Sequence, residues 1–162
     1  MVLEMDHVET ILGQWKKQRP DLDCSPMGVI GRVGRARQLM TNKLDDVYKR
    51  YELSSIEFDI LASLRRLGEA VTPTELYQTL MLSSGAMSTR VDGLVKRGLV
   101  ERQASEIDRR SCLVTLTTEG LALIDKVVEA HVANEHQMLL ALTEEEQAQL
   151  AMLLKKWLVA NE

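Results

Sequence analysis

Four basic side chains lie close together in a chain that is acidic as a whole. Arg90, Lys96, Arg97 and Arg102 fall within the stretch SSGAMSTRVDGLVKRGLVER, residues 83–102, although the formal net charge of the 162-residue chain is −4. Cations at this density can hold DNA phosphates, bind a small anion or simply solvate a helix. The elements that position them decide among these three roles.

The balance of charge changes along the chain. Residues 83–111 hold six Lys and Arg against four Asp and Glu, whereas residues 117–162 hold three Lys against eight acids. Such segregation is expected when one surface meets a polyanion and another does not. It favours a nucleic-acid partner in spite of the acidic total.

The composition indicates a helical protein with a real core. Hydrophobic residues make up 45% of the chain but aromatic residues only 4%, and Leu, Val and Met dominate the apolar set, which favours helices over a β-sandwich. No apolar run approaches 18 residues, and residues 1–20 lack the apolar region of a signal peptide. We therefore expect a soluble cytoplasmic protein, without a membrane partner. Two cysteines cannot make a disulfide framework and are expected to be reduced.

Helix-start signals divide the chain into elements. Ser54 with Glu57 and Thr143 with Glu146 have capping-box spacing, and Thr72 is followed by Pro73 and Glu75, a strong start signal. Two β-prone runs with a polar loop between them predict a hairpin. The predicted order is helix 3–18, helix 27–51, helix 55–67, short helix 73–81, helix 84–97, strand 99–103, strand 111–116, helix 118–140 and a last helix from 144.

This order predicts a winged helix-turn-helix. A short capped helix, a tight turn, a second capped helix and a hairpin follow one another, and in such modules the second helix enters the major groove of DNA while the hairpin tip reaches the backbone or the minor groove. We therefore expect a mainly α fold with a small β-hairpin wing, flanked by N- and C-terminal helices.

Projection of the second helix at 100° per residue separates two sides. The apolar side carries Met87, Val91, Leu94 and Val95. The opposite side carries Gly85, Thr89, Gly93 and Lys96. Each glycine costs roughly 1 kcal/mol of helix stability relative to alanine, so close approach to DNA is one reason for two of them on this side. Weak selection on an exposed surface is the alternative.

The hairpin tip adds the tripeptide Asp108-Arg109-Arg110. Arginine suits the narrow, negative minor groove, and a neighbouring Asp can orient a guanidinium. A solvated loop is the alternative, but the position between two strands and after a helix-turn-helix favours DNA. The predicted DNA-binding residues are Ser84, Gly85, Thr89, Lys96, Arg97, Asp108, Arg109 and Arg110.

Two segments resemble the MarR family of dimeric bacterial transcription regulators. SSGAMSTRVDGLVKRGLVER and DRRSCLVTLTTEG are similar to the recognition helix, the wing and the following helix start of that family, and the resemblance covers essentially the whole chain. It implies a homodimer on pseudo-palindromic double-stranded operator DNA, with the recognition helices about 34–36 Å apart. Thr89, Arg109 and Arg110 match family positions that contact DNA, and Asp108 matches one that supports the wing.

The same resemblance implies a division into three parts. Residues 1–52 would form N-terminal helices for dimerisation and a lid over a ligand pocket, residues 53–117 the winged helix-turn-helix, and residues 118–162 the C-terminal dimerisation helices. The three parts would make one intertwined unit.

WKKQRPDLDCSPMGVIGRVGR and LSSIEFDILASLRR are similar to the PecS-type, urate-responsive branch of the family, which has an extra N-terminal helix. The purine pocket of that branch maps onto Trp15, Asp59, Arg90 and Arg102. An indole can stack on a planar heterocycle, and guanidinium groups can hold its anionic oxygens. The resemblance implies an effector, urate or a related purine such as xanthine, that lowers DNA affinity. Taken alone, Asp59 is better explained as a solvent-exposed acid and Trp15 as a packed aromatic at a helix interface.

Other functions remain as alternatives or are disfavoured. A thiol switch at Cys24 and a winged helix that only binds proteins are the two alternatives to a ligand-responsive repressor. His131 and His136 are five residues apart and do not converge as an i, i+4 metal pair would. We find no nucleophile–base pairing, phosphate-binding glycine loop or H-E-x-x-H pattern, so we expect neither an enzyme nor a resident cofactor or metal.

Overall fold

The computed structural model describes residues 4–80, 84–104 and 112–162. Within these ranges the chain is mainly helical with one two-stranded antiparallel hairpin, which confirms the predicted fold class. The elements are α1 (His7–Gln18), α2 (Ser25–Lys49), α3 (Ser55–Leu67), α4 (Pro73–Leu80), α5 (Ser84–Lys96), β1 (Val100–Ala104), β2 (Cys112–Leu116), α6 (Thr118–Leu139) and α7 (Glu144–Val159).

The chain divides into two compact units, Met1–Lys43 and Leu44–Glu162. In the first unit, α1 begins at His7 rather than near residue 3, because the carboxylate of Asp6 accepts the backbone N–H of Glu9 at 2.8 Å and caps the helix. The same carboxylate pairs with Arg32 of α2 at 2.7 Å. The two helices approach closely at Gly31, where an added Cβ would lie 3.3 Å from Val8.

The second unit is built around α3, which contacts α4, α5, α6 and β2. The capping box of Ser54 and Glu57 opens α3 as predicted, and Gly68 ends it in the left-handed conformation, with φ of 72°. Apolar side chains from seven elements meet at full burial in this core. They include Val47, Ile60, Leu61, Leu76, Val91, Leu94, Val100, Val114, Ile124 and Val127.

The hairpin is anchored to the rest of this unit at two points. Val114 of β2 and Val71, just before α4, exchange two backbone hydrogen bonds of 2.7 and 3.1 Å. Just after β2 the hydroxyl of Thr117 donates to the carbonyl of Gly98 at 2.7 Å and accepts the N–H of Gly120. A Cβ at Gly120 would overlap the carbonyl of Leu99. The start of α6 is therefore pressed against the turn that joins α5 to β1.

Candidate nucleic-acid interface

Helix α5 has one buried and one exposed side, as the projection predicted. Val91 and Leu94 are buried, whereas Thr89, Lys96 and Arg97 are exposed. Ser84 and Gly85 form the first turn of α5. The part of the predicted set at the hairpin tip lies outside the described residues; it comprises Asp108, Arg109 and Arg110.

Arg97, at the end of α5, has a partner on α3. Its Nη1 lies 3.4 Å from Oε1 of Glu57. The other oxygen of this carboxylate accepts the backbone N–H and the hydroxyl of Ser54, both at 2.8 Å. One partly buried carboxylate, whose side chain is only 15% exposed, therefore caps α3 and contacts the end of α5. The partners are 40 residues apart in the chain, and no local spacing indicated the pair.

The pKa of Glu57 reflects these contacts. Burial on its own raises the pKa, but the hydrogen bonds from Ser54 and the charges of Arg97 and Arg90 outweigh burial, so the pKa is lower than its usual 4.5. Arg90 is an exposed residue of α5 whose charge acts on this carboxylate. Arg90 and Arg97 are therefore exposed to solvent and also interact electrostatically with Glu57 of α3.

Arg102, on β1, pairs with Asp92 on α5. Its Nη2 lies 2.6 Å from Oδ1 of Asp92, and both side chains are largely accessible to water, at 39% and 53%. Asp92 was not among the residues that the sequence singled out. Asp92 and Arg102 lie on opposite sides of the turn at Gly98, and the reversal of the chain at this turn brings their side chains together.

Asp59 is exposed on α3, at the edge of a cluster of rings. Partial desolvation raises the pKa of its carboxyl, while the nearby charges of His131 and Arg66 act in the opposite direction. Tyr48 and Phe58 stack with ring centres 4.3 Å apart, and Phe58 and His131 with ring centres 4.9 Å apart. The hydroxyl of Tyr48 is hydrogen-bonded to Nδ1 of His131 at 2.9 Å. Sequence reasoning missed this cluster because its members come from three different helices.

Three of the four residues assigned to the ligand pocket lie in the second unit, and each of the three has different charged neighbours. Arg102 faces Asp92, Arg90 acts on Glu57, and Asp59 lies near His131 and Arg66. Trp15 is on α1 of the first unit and is 39% exposed. Its indole is thus accessible for stacking.

Cys24 lines an open cleft of about 260 Å³ in the first unit. Lys16 and Arg19 lie on the same cleft, and Arg19 donates two hydrogen bonds, of 2.9 and 2.7 Å, to Asp21. Trp15 is not part of the lining. Among the described residues no group of three or more side chains is arranged to hold a metal ion. None of the helices in the described ranges is long and apolar enough to cross a membrane.

Comparison with known proteins identifies similar chains. Residues 51–111 match the model of the MarR family. The HTH-type transcriptional regulator PecS of Dickeya dadantii is 45% identical over 95% of this chain and 96% of its own length. The multiple antibiotic resistance protein MarR of Escherichia coli is 34% identical over 76% of this chain and 89% of its own.

A solved structure of a mutant Escherichia coli MarR in complex with operator DNA has the same fold. It superimposes with a TM-score of 0.72 at 29% identity, and the alignment covers 89% of this chain and 97% of that one.

Proposed function

Because this chain belongs to the MarR family of transcription regulators, as a PecS-like member, we propose that it binds double-stranded operator DNA through α5 and the hairpin. Proteins of this family regulate transcription and are not enzymes. The observation that carries the proposal is α5 itself, which buries Val91 and Leu94 and exposes Thr89 and Lys96 on another side. The relative that binds operator DNA with the same fold supports it.

The DNA contacts follow from the chemistry of each position. Thr89 and Lys96 face the major groove, where a hydroxyl and an ammonium group contact base edges and phosphates. Ser84 and Gly85 start α5, and the N-terminus of a helix favours a phosphate. Asp108, Arg109 and Arg110 complete the interface at the minor groove. Arg97 contributes positive charge next to DNA while it remains paired with Glu57.

The active species is a homodimer held together by N- and C-terminal helices. No residue of α7 is buried in the single chain, although this helix carries a set of exposed apolar side chains. They are Leu150, Leu153, Leu154, Trp157 and Leu158. A surface of this kind marks an interaction site, and a second copy gives the twofold symmetry that a pseudo-palindromic operator matches. The three-part division at residues 52/53 and 117/118 belongs to this proposal.

The regulator is a repressor in the bacterial cytoplasm that releases DNA when it binds urate or a related purine such as xanthine. Resemblance to the urate-responsive branch supports this effector, with Trp15, Asp59, Arg90 and Arg102 as its ligands. Arg90 and Arg102 lie on α5 and on the strand after it. An anion bound there favours a different position of α5, and such a difference between states is what lowers DNA affinity.

The proposal is tested with the region upstream of the protein's own gene. Fluorescence anisotropy measures the affinity for this DNA and for a scrambled duplex over a series of salt concentrations. The slope of log affinity against log salt is about −0.9 for each phosphate contact. Lys96→Gln should weaken both complexes and reduce the slope by about one, while Lys126→Gln, the same charge change on α6, leaves both unchanged. Weak binding with a flat slope would instead favour a protein-interaction module.

The effector is tested by adding micromolar to millimolar urate to the same complexes. Wild-type operator affinity should fall, and Arg90→Ala should lose much of this response while Lys126→Ala keeps it. Operator binding that is tight and indifferent to urate would reject the assigned effector but not the DNA-binding function. If peroxide caused loss of operator binding and Cys24→Ser prevented that loss, the thiol switch would replace the urate response.

A further inference from the structure

Asp92 is an acid on the side of α5 that is proposed to face DNA. It lies one helical turn from Ser88 and one from Lys96, and all three are exposed. A carboxylate at this position is repelled by phosphates, so an interface selected only for charge would not contain it. The bond to Arg102 supplies a reason for its presence.

Arg102 connects the hairpin to the recognition helix. It is in register with the buried Val114 of β2, and paired residues of antiparallel strands point to the same face. Its side chain therefore leaves the hairpin on the face that packs against the helices, and its guanidinium reaches Asp92 at 2.6 Å. This ion pair joins β1 to α5, which are the two elements that must fit neighbouring grooves of DNA.

We propose that Asp92 is a positioning residue for operator recognition, which holds the hairpin against α5 through Arg102, and that a small organic anion bound by Arg102 displaces it. The second half rests on the proposed function, since it uses the effector assigned there. Arg102 has one guanidinium, and its partner in this structure is Asp92. A ligand anion that binds the same Nη2 group competes with that carboxylate for it.

Comparison with the Glu57–Arg97 pair shows why an anion can replace Asp92 in its pair with Arg102. Glu57 is nearly buried and also caps α3 through Ser54. Moving its carboxylate away from Arg97 would therefore disturb both the start of α3 and the end of α5. Asp92 and Arg102 are both open to water, at 53% and 39% exposed. An exposed pair contributes at most about 1 kcal/mol, which a bound anion can replace. Displacement removes one contact between the hairpin and α5 and leaves the charge of Asp92 uncompensated beside DNA, and both effects lower operator affinity.

The first test uses the sign of the effect on DNA binding. Asp92→Asn removes a negative charge from the DNA side, so electrostatics alone would tighten binding, whereas loss of positioning weakens it. We expect roughly two- to fivefold weaker operator binding, the range that an exposed pair supports. Affinity for scrambled DNA should not fall, so the ratio of specific to non-specific binding decreases. Asp92→Glu should restore much of the loss.

A double-mutant cycle assigns the effect to the pair. Arg102→Gln should also weaken operator binding, and the Asp92→Asn, Arg102→Gln double variant should be little worse than Arg102→Gln alone. Asp125→Asn breaks an exposed pair of similar geometry, the 2.7 Å contact with Arg65, and should leave operator binding unchanged. Equal or tighter operator binding by Asp92→Asn would overturn the positioning role, provided that thermal unfolding shows all variants to be folded.

The second test measures urate binding by calorimetry. Asp92→Asn should bind urate roughly two- to fivefold more tightly than the wild type, because the competing carboxylate is gone, yet urate should change its operator affinity less. Equal urate affinity for both proteins would overturn the exchange. If the wild type does not bind urate, release by urate is wrong together with the assigned effector, whereas the DNA experiment still decides the role of Asp92.

Discussion

At the scale of residues, single carboxylates connect elements of the DNA-binding region. Glu57 closes the first turn of α3 and also lies 3.4 Å from the guanidinium of Arg97 on α5. Its lowered pKa means that the folded state favours the charged form. The stabilisation is complete above the usual pKa of 4.5, where the unfolded chain is also ionised, and it is lost as the pH falls through the lower pKa of the folded protein.

Glu57→Ala is therefore expected to lower the free energy of unfolding by about 1 kcal/mol at neutral pH, the typical value of a lost helix cap. The difference from the wild type should shrink in acid, because the wild-type carboxylate then becomes protonated. Urea unfolding at pH 7 and at about pH 3.5 measures both quantities. Glu69→Ala, an exposed acid after α3, is the control. A difference that does not change with pH would contradict the ionic part of this account.

Helix α5 must serve two requirements at the scale of elements. Its inner side packs into the core through Val91 and Leu94, and its outer side must come close to DNA. Gly93 is outside the buried side, and a Cβ added there would have no atom within 4 Å in the free protein. Alanine is the better helix former by roughly 1 kcal/mol, so nothing in the isolated fold explains the glycine.

Gly93→Ala is expected to raise the melting temperature while it weakens operator binding, because the added methyl group meets only DNA. The matched control is Gly13→Ala on α1, which also has no atom within 4 Å of the added carbon. This control should gain stability with no change in DNA binding. Unchanged operator affinity in Gly93→Ala would support the alternative that the glycine reflects weak selection on an exposed surface.

At the scale of the whole molecule, α7 leaves apolar side chains exposed on the single chain. Such side chains indicate that copies of the chain associate. Helix α7 carries Leu154 and Trp157 at 40% and 56% exposed, one turn apart on one side. A helix with an apolar stripe and no buried residue lacks a packing partner among the residues of its own chain that the structure describes. The amphipathic pattern of this helix was evident in the sequence, but its exposure was not.

Leu154→Glu combined with Trp157→Glu is expected to convert the proposed homodimer to a monomer, because carboxylates cannot be buried unpaired in an apolar interface. Analytical ultracentrifugation measures the mass, and operator affinity should fall because one half-site alone remains bound. Gln149→Glu, which adds charge to a polar position of α7, should stay dimeric. A double variant that remains a dimer would show that α7 is not required for assembly.

Much of this protein is determined by interactions between near neighbours in the sequence. The capping boxes at Ser54 and Thr143, the two sides of α5 and the hairpin were all predicted correctly, since caps and amphipathic stripes act over three or four residues. The tertiary structure decided which charges meet. Arg97 pairs with Glu57 across 40 residues, and Tyr48 bonds to His131 across 83. Such partners depend on how helices pack in three dimensions, so the sequence located the cations of α5 and β1, whereas only the fold revealed the acids that hold them.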